Sequence, residues 1–425
     1  MSHKPLQVLI IGAGTGGLCL AQGLKKDGVA VRVFERDRTP ISALQGYRLS
    51  INETGSRALR DCLPEAVFAK LTANAAQPSV AVTFFDHRLS RLLAIDLPHH
   101  DRRDIEAERP VNRKTLRHIL LEGLDSVVSF DKKFVGFGPA SGGAIEAHFE
   151  DGSTAVGDVI VGADGAGSRV RSLLLPEARR EDLGIVGIAG KLALTAQVRA
   201  MVPTAILRGP TLVLGPRGSF MFCSSVRYDD LATDDGAPND KELAGDRENY
   251  VMWGLSARRE KFSLAVDGEA NSGEQLKQAA EELTGDWHPT LRRMVQTTAA
   301  SEITMFSVKT SIPVAPWKTC NVTLLGDALH NMPPFRGIGA NAALWDAAAL
   351  RKAFSAVDRG EDELLVALAA YERAMINHGF DAVRATLKNT SRFHAEGWIE
   401  RSLTKSVFRV ADLVAPLRNA FAGRH

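Results

Sequence analysis

Val8-Leu9-Ile10-Ile11-Gly12-Ala13-Gly14-Thr15-Gly16-Gly17 stands near the start of the chain, and its reading decides the fold. The apolar run 8–11 reads as a buried strand. A helical pattern follows through Leu18, Ala21, Leu24 and Lys25 and breaks at Asp27-Gly28. A second strand over 29–34 then ends on Glu35, about 20 residues beyond the glycines. Together these segments form a βαβ unit. Gly12 permits the tight turn off the strand, Gly14 lets the backbone approach a pyrophosphate, and Gly17 lets the helix pack close to the sheet. The helix N-terminus offers free N–H groups and a positive dipole end to phosphates. Glu35 can accept both hydroxyls of an adenosine ribose and would repel a 2′-phosphate, so FAD or NAD fits better than NADP. A glycine-rich turn without a ligand is the alternative, and the strand–turn–helix–strand–acid order argues against it.

Length and composition narrow the rest. A chain of 425 residues is too long for one ordinary domain, so two intergrown domains are expected. A net charge of +2 gives no electrostatic reason to expect nucleic acid as a partner. Cys19, Cys62, Cys223 and Cys320 are scattered without a C-x-x-C pair. That spacing excludes a dithiol flavoprotein and a cysteine-rich metal site, so no metal is expected. A reducing, cytoplasmic setting fits, and residues 1–7 carry no signal peptide. No apolar run approaches the ~18 residues needed to span a membrane.

Beyond Glu35, a polar loop over 36–40 precedes Leu44-Gln45-Gly46-Tyr47-Arg48-Leu49-Ser50-Ile51, whose end alternates like a strand. Residues 54–63 read as a helix closed by Pro64, and 80–97 as a hairpin turning near 86–90. Asn112 is placed to cap a helix that carries Leu116, Ile119, Leu120 and Leu124 at helical spacing. Arg113 then lies in the first turn, where a cation is unfavourable unless an anion faces it. A charged ligand would explain it, and a solvated surface arginine is the alternative.

Two further stretches carry chemistry. Asp158-Val159-Ile160-Val161-Gly162-Ala163-Asp164-Gly165-Ala166-Gly167-Ser168 is a strand running into a glycine-bounded acid and a helix start. Ligands of open α/β sheets sit at such strand ends. Val322-Thr323-Leu324-Leu325-Gly326-Asp327-Ala328-Leu329-His330 is again strand then acid, followed by a proline-rich loop and Gly337-Ile338-Gly339-Ala340-Asn341. That last run leaves N–H groups free at a helix N-terminus, an anion-stabilising site. His330 resembles a catalytic base, yet a histidine just past a buried strand is more often structural. Between 183 and 312 strand-like runs predominate (191–198, 205–214, 220–226, 250–256), with a helical insert at 272–283. Gly184 to Gly190 has the wrong glycine spacing for a phosphate loop and reads as an inter-domain strand. The tail is helical over 364–387 and amphipathic over 406–421. Its stripe of Val407, Val410, Leu413, Val414 and Leu417 is expected to pack back on the body. Arg409, Arg418 and Arg424 are too sparse a charge for a membrane surface.

The three stretches together resemble the single-component FAD-dependent aromatic hydroxylases of the para-hydroxybenzoate hydroxylase fold, especially those acting on tetracyclines and polycyclic aromatic metabolites. Gly162-Ala163-Asp164-Gly165-x-x-Ser168-x-Val170-Arg171 resembles that family's DG motif. Gly326-Asp327-Ala328-x-His330-x-x-x-Pro334-x-x-Gly337-x-Gly339-x-Asn341 resembles its GD motif. Order and spacing match over residues 6–375, and nothing after about Arg384 matches. The resemblance implies an α/β fold, a Rossmann-like FAD-binding domain intergrown with a β-sheet substrate domain, and C-terminal helices. The FAD-binding domain would be discontinuous over 1–79, 104–182 and 308–380, the substrate domain 80–103 and 183–307, and the helical segment 381–425.

The resemblance also assigns roles. Gly12, Gly14 and Gly17 would meet the pyrophosphate, and Glu35, with Arg36 beside it, the adenosine ribose. Arg113 would lie along the FAD phosphates and ribityl chain, and Asp327 would hold the ribityl and pyrophosphate region. Gly337, Gly339, Ala340 and Asn341 would face the flavin pyrimidine edge, and Asp164 would serve both FAD and the visiting nicotinamide. Arg48 falls where the family often has an arginine near the ring. Leu212, Leu214, Phe220, Phe222 and Trp253, on strands of the second domain, and Pro334 are candidates to line the substrate cleft.

The implied activity is a monooxygenase. NADPH or NADH, as a transient co-substrate, reduces FAD, and O2 forms a flavin C4a-hydroperoxide that hydroxylates an aromatic ring. The absence of a Lys or Arg cluster on the second sheet points to an apolar, phenolic, in the limit polycyclic small molecule. A second G-x-G-x-x-G, the mark of a permanent NADP site, is missing. The alternatives are a Baeyer–Villiger or epoxidising oxygenase of a polyketide, or a non-catalytic FAD protein that sequesters a ligand. A monomer or homodimer would serve any of these.

Overall fold

Apolar strands and an amphipathic helix assemble the N-terminus as its sequence requires. The computed structural model describes residues 4–39, 48–101, 104–228, 247–264 and 271–414. Residues 44–47, read above as the approach to a strand, lie outside them. β1 (Gln7–Ile11), α1 (Thr15–Lys26) and β2 (Ala30–Phe34) form the expected βαβ unit. Val8, Leu9 and Ile10 are fully buried, as a parallel strand covered on both faces must be.

β3 (Arg48–Ile51) leads into α2 (Glu53–Cys62) and α3 (Glu65–Asn74), of which the sequence pattern indicates only the first. β4 (Ala81–Asp86) and β5 (Arg91–Asp96) are the expected hairpin. β6 (Arg109–Asn112) runs straight into α4 (Arg113–Leu121), and the Asn112 side chain caps it, accepting a 2.9 Å hydrogen bond from the Lys114 N–H. β7 (Val128–Ser129), β8 (Phe134–Pro139), β9 (Ile145–Phe149), β10 (Thr154–Gly157), β11 (Val159–Gly162) and α5 (Arg169–Leu174) follow.

β12 (Arg180–Ala193) absorbs Gly184 to Gly190 as a central strand of the second sheet. The runs at 191–198 and 205–214 are broken by α6 (Ala196–Met201) and α7 (Thr204–Arg208), so β13 (Thr211–Leu214) keeps only the end of the second. Thr195 starts α6 by accepting from the Val198 N–H at 3.2 Å, a local cap that apolar content alone does not reveal. β14 (Phe220–Val226), β15 (Tyr250–Arg258), α8 (Gly273–Leu283), α9 (Pro289–Thr297) and β16 (Ile303–Ser311) complete this unit. β17 (Val322–Leu324), α10 (Asp327–His330), α11 (Gly339–Asp358), α12 (Leu364–Phe393) and α13 (Trp398–Leu413) close the described chain.

The first sheet is parallel, in the order β17-β11-β1-β2-β7, which brings the ends of the three informative stretches side by side. The second has seven strands in the order β16-β12-β15-β14-β13-β4-β5. β12 crosses the expected boundary at 182/183 and β16 the one at 307/308, so the two units share continuous strands. The architecture is the expected α/β class: a Rossmann-like parallel unit, an intergrown β-sheet unit and C-terminal helices.

Alternation splits the second sheet into two apolar faces. Val213, Met221, Cys223 and Trp253 pack against α8 and α9. Leu212, Leu214 and Phe220 pack instead with Phe335, Phe393, Phe408 and Ala411. In α13, therefore, Phe408 and Ala411 turn inward, while Ile399, Leu403, Val407, Val410 and Leu413 stay exposed. This corrects the expectation that the Val407 stripe packs on the body. Two polar anchors set the rotation of α13: Asp412 accepts from the Ala94 N–H at 2.9 Å, and Arg401 donates to the Gly215 carbonyl at 2.9 Å. Leu417, Arg418 and Arg424 lie outside the described residues.

His394, just past α12, closes the junction between helix and sheet. Its Nδ1 sits 2.9 Å from the Thr390 carbonyl and its Nε2 2.8 Å from Ser256 Oγ. Nδ1 therefore carries the proton, and Nε2 accepts from the serine. Burial pushes this imidazole down from its usual 6.5 to about 4. The unfolded chain thus binds the extra proton first, and stability should fall as pH drops from 6.5 towards 4. The loss should reach about 3 kcal/mol. His330 has its value raised and acts in the opposite direction, so the group is isolated by subtraction. Denaturant unfolding of wild type and His394→Gln should differ in pH slope across this window, and parallel slopes would contradict the assignment.

Candidate active site

The N-terminus of α1 is built by close approach. Gly12 has φ +109°, a region L side chains rarely adopt, and a Cβ there would lie 2.5 Å from the Ala163 carbonyl. A Cβ on Gly17 would lie 2.2 Å from the Gly12 carbonyl. Gly14 is different: a Cβ there meets nothing within 4 Å, so open space sits over the helix terminus. The first bond along the helix joins the Leu18 N–H to the Gly14 carbonyl, which leaves the N–H groups of residues 15–17 ahead of it.

Glu35 is buried at the end of β2 and faces that terminus. Its Oε2 accepts from the Ala13 N–H at 2.7 Å and its Oε1 from the Asp37 N–H at 3.0 Å. The expected neighbour Arg36 is exposed. A residue that sequence reasoning missed takes the inner place: Arg117, in α4, lies 3.8 Å from Glu35 and 3.2 Å from Asp37. Its Nη2 is buried and has no hydrogen-bond partner among the described residues. The available signal was spacing, because Arg117 stands one helical turn beyond Arg113.

Asp164 lies at the end of β11, as expected, but its carboxylate is used locally. Oδ1 accepts from Ser168 Oγ at 2.5 Å, and Oδ2 accepts from the Arg169 and Val170 N–H groups at 2.7 and 3.2 Å. Its carboxylate thereby holds the start of α5. Arg171 of the same motif reaches across to the Ala328 carbonyl at 2.7 Å and ties the second stretch to the third.

The third stretch places Asp327 at the end of β17. Burial pushes its carboxyl above the usual carboxylate value, against the pull of the His330 and Arg113 charges. Arg113, 214 positions away in sequence, is thus within electrostatic reach of Asp327. Asp327 Oδ1 also lies 3.9 Å from where a Gly339 Cβ would stand, beside the N-terminus of α11. There the first bond along the helix is from the Ala342 N–H to the Ile338 carbonyl, so the N–H groups of Gly339, Ala340 and Asn341 precede it. Gly337, in the left-handed region, ends the turn before it. The Asn341 side chain is already engaged: Nδ2 donates to the Ser50 and Gly337 carbonyls and Oδ1 accepts from the Asn52 N–H at 3.0 Å. Only its backbone is left to face a ligand.

His330 is scaffold. It is fully buried, with Nε2 2.7 Å from Asp346 Oδ2, and the same oxygen accepts from the Gly326 N–H at 2.7 Å. Burial, which would lower its pKa, is outweighed by the Asp346 charge. The pair holds the turn that presents Asp327.

Arg48 joins the two units. Its Nη1 donates to Ser224 Oγ of β14 at 3.0 Å and its Nη2 to Glu108 Oε1 at 3.1 Å. Of the substrate candidates, Leu212, Leu214, Phe220 and Phe222 share one sheet face. The first three are buried there with Phe393, Phe408 and Ala411 of α12 and α13, which corrects their assignment to the cleft, and only Phe222 stays half-buried. Phe335 of the loop before α11, not the exposed Pro334, makes the contact, with its ring 5.8 Å from Phe220 and 4.9 Å from His394. Trp253 is on the other face. It is fully buried against α8 and α9 and donates from Nε1 to Thr298 Oγ1 at 2.9 Å. A strand's alternation puts it in the core, which corrects its assignment to the cleft.

The residues fit an FAD. Open space over α1, the ribose-competent Glu35, the buried unpaired donor of Arg117 and the free N–H groups of α11 beside Asp327 suit its two ends. Comparison with known proteins agrees. Residues 5–76 and 140–386 match the model of a family described as "FAD binding domain". A dual O-methyltransferase/FAD-dependent monooxygenase of Phaeosphaeria nodorum is 33% identical over 94% of this chain and 46% of its own length. The chain thus spans about half the length of the first curated relatives it matches. A 6-hydroxynicotinate 3-monooxygenase of Pseudomonas fluorescens is 28% identical over 88% of the chain and 89% of its own length. A solved structure of a putative FAD-containing monooxygenase from Photorhabdus luminescens is 31% identical, with TM-score 0.80, covering 92% of this chain and 98% of that one. Klebsiella pneumoniae HpxO with FAD and uric acid has the same fold at 20% identity, TM-score 0.77, covering 95% of this chain and 93% of that one.

The glycines separate two kinds of substitution. Gly14→Val should fold and purify colourless, because its side chain enters the open space, whereas Gly17→Ala should fail to fold. Arg113→Ala and Asp327→Ala should each weaken FAD binding by ~1.5–3 kcal/mol, the range for charge-assisted contacts. Flavin absorbance and FAD titration of the apoprotein check all four, and full flavin content in Gly14→Val would contradict the site.

Proposed function

The chain belongs to the FAD-binding-domain family, with FAD as its cofactor, and from that premise we propose that it is a monooxygenase that hydroxylates an aromatic, phenolic small molecule with NAD(P)H and O2. One observation carries this reading. The loop that ends in the N-terminus of α11, beside Asp327, also presses Phe335 onto the apolar face of Phe220 in the second sheet. With the flavin's pyrimidine edge at that terminus, the cofactor's reactive end and an aromatic-lined wall would share one loop. The curated relative named for 6-hydroxynicotinate, an aromatic heterocycle, supports the same class.

FAD, once bound and reduced, supplies O2 activation and oxygen transfer. The chain's own residues bind and orient. Glu35 would accept the ribose hydroxyls, and the α1 terminus with Arg117 would meet the pyrophosphate. Arg113 and Asp327 would flank the ribityl chain, and the N–H groups of residues 339–341 would stabilise negative charge at the pyrimidine edge. Phe222 and Phe335, both half-buried, would exclude water and flank the substrate ring, with Phe220 packed beneath them against Phe393. Among the described residues no His, Cys, Asp and Glu cluster could hold a metal, and no helix is long and apolar enough to cross a membrane.

Purified holoprotein should oxidise NADPH or NADH faster when apolar phenols are added, with a product heavier by one oxygen atom. Binding without stimulated oxidation would indicate a sequestering protein. Stimulation by small charged non-aromatic compounds alone would refute the substrate class.

A further inference from the structure

The Arg48–Glu108 pair sits where the two units meet. Arg48 keeps only 6% of its side chain exposed, and Glu108 keeps 23%. Ser224, the sheet-side partner of Arg48, lies two residues past Phe222 and four past Phe220, so alternation puts all three on the face read above as the substrate wall. On the other side, Ser50 donates from Oγ to Glu108 Oε1, and its carbonyl accepts from Asn341 Nδ2 at 2.9 Å, at the N-terminus of α11. The pair therefore lies between the aromatic wall and the cofactor-side helix terminus.

The charge here is balanced. Glu108 Oε2 also accepts from the Ser79 N–H at 3.2 Å. Burial alone would raise Glu108, but the Arg48 guanidinium and the Ser50 and Ser79 donors hold it below the usual carboxylate value, so it stays ionised. The neighbouring Arg109 turns away, donating to Ser56 Oγ at 2.7 Å and the Ala107 carbonyl at 2.9 Å. Both Nη atoms of Arg48 are engaged, and Glu108 fixes an anion beside it.

We propose that Glu108 is a specificity-determining residue, which neutralises Arg48 at the aromatic wall and so selects uncharged ring systems over carboxylated ones. An arginine at the end of an aromatic cleft would by itself recruit a carboxylate through a bidentate pair. With Glu108 in place, an incoming carboxylate finds its donors taken and meets like charge in a low-dielectric setting, so the wrong ligand is rejected by repulsion. The inference rests on the aromatic-substrate reading above and narrows it.

The test titrates the oxidised holoprotein with 2-naphthol and with 3-hydroxy-2-naphthoate, following the flavin absorbance change without NAD(P)H. Wild type should favour 2-naphthol by tenfold or more. Glu108→Gln leaves Arg48 unpaired and should shift the affinity ratio towards the naphthoate by at least tenfold. Arg48→Gln, which leaves Glu108 alone, should shift the ratio the other way, and it serves as the test if Glu108→Gln does not fold by circular dichroism. A ratio unchanged within threefold in a folded variant, a wild type that prefers the naphthoate, or no naphthoate response in folded Glu108→Gln each overturns the proposal. A purely structural pair would alter stability and leave the ratio alone. Naphthol binding without stimulated NAD(P)H oxidation would refute the hydroxylase reading and leave this one standing.

Discussion

The structure depends on one steric constraint, the contact between α1 and the strand ends beneath it. With a Cβ on Gly17 placed 2.2 Å from the Gly12 carbonyl, and one on Gly12 placed 2.5 Å from the Ala163 carbonyl, no side chain is tolerated at either point. Because both are absent, α1 settles directly on β1 and β11. Its N-terminus then comes within reach of Glu35, which takes the Ala13 N–H at 2.7 Å. Moving α1 outward by a methyl group would carry its N-terminus away from that acid.

From that contact, a few polar ties carry the order outward. Arg171 joins the second stretch to Ala328, and Asp346 holds both Gly326 and His330. The Asn341 amide staples α11 to the β3–α2 turn through Ser50 and Asn52. Asp346 and Asn341 are buried groups whose loss leaves an unpaired partner, and this makes such ties expensive to break. Their common effect is to fix Asp327 and the α11 terminus against Arg113. His330, which resembles a catalytic base, is spent on this geometry.

The second unit contributes a wall with two different faces. The inner core of Trp253, Met221 and Val213 stabilises the sheet against α8 and α9, while Phe220 and Phe222 turn to the loop of Phe335. Trp253 lies across Gly190, where an added Cβ would come within 2.6 Å of its ring, so the glycine is a packing requirement and not a phosphate signal. Arg48 and Glu108 close the wall at its polar end.

The sequence by itself determined the βαβ unit, the α/β class, a dinucleotide site and the three strand ends, because each follows from local period and glycine spacing, which act over a few residues, while the choice of FAD came from the resemblance of the three motifs together. It also identified Asn112 as a cap and Arg113 as a cation awaiting an anion. What it left open was set by which face of an element turns inward. Alternation marks two faces of β15 without saying which meets a helix, and so Trp253 went to the core. The amphipathic stripe of α13 was legible, but the anchors Asp412 and Arg401, pairing with residues over 180 positions away, rotated it to solvent. Arg117 carried only its one-turn spacing from Arg113, and Glu108 carries no motif at all. Their roles come from side chains brought together by the sheet order, a long-range packing outcome that no window of sequence contains.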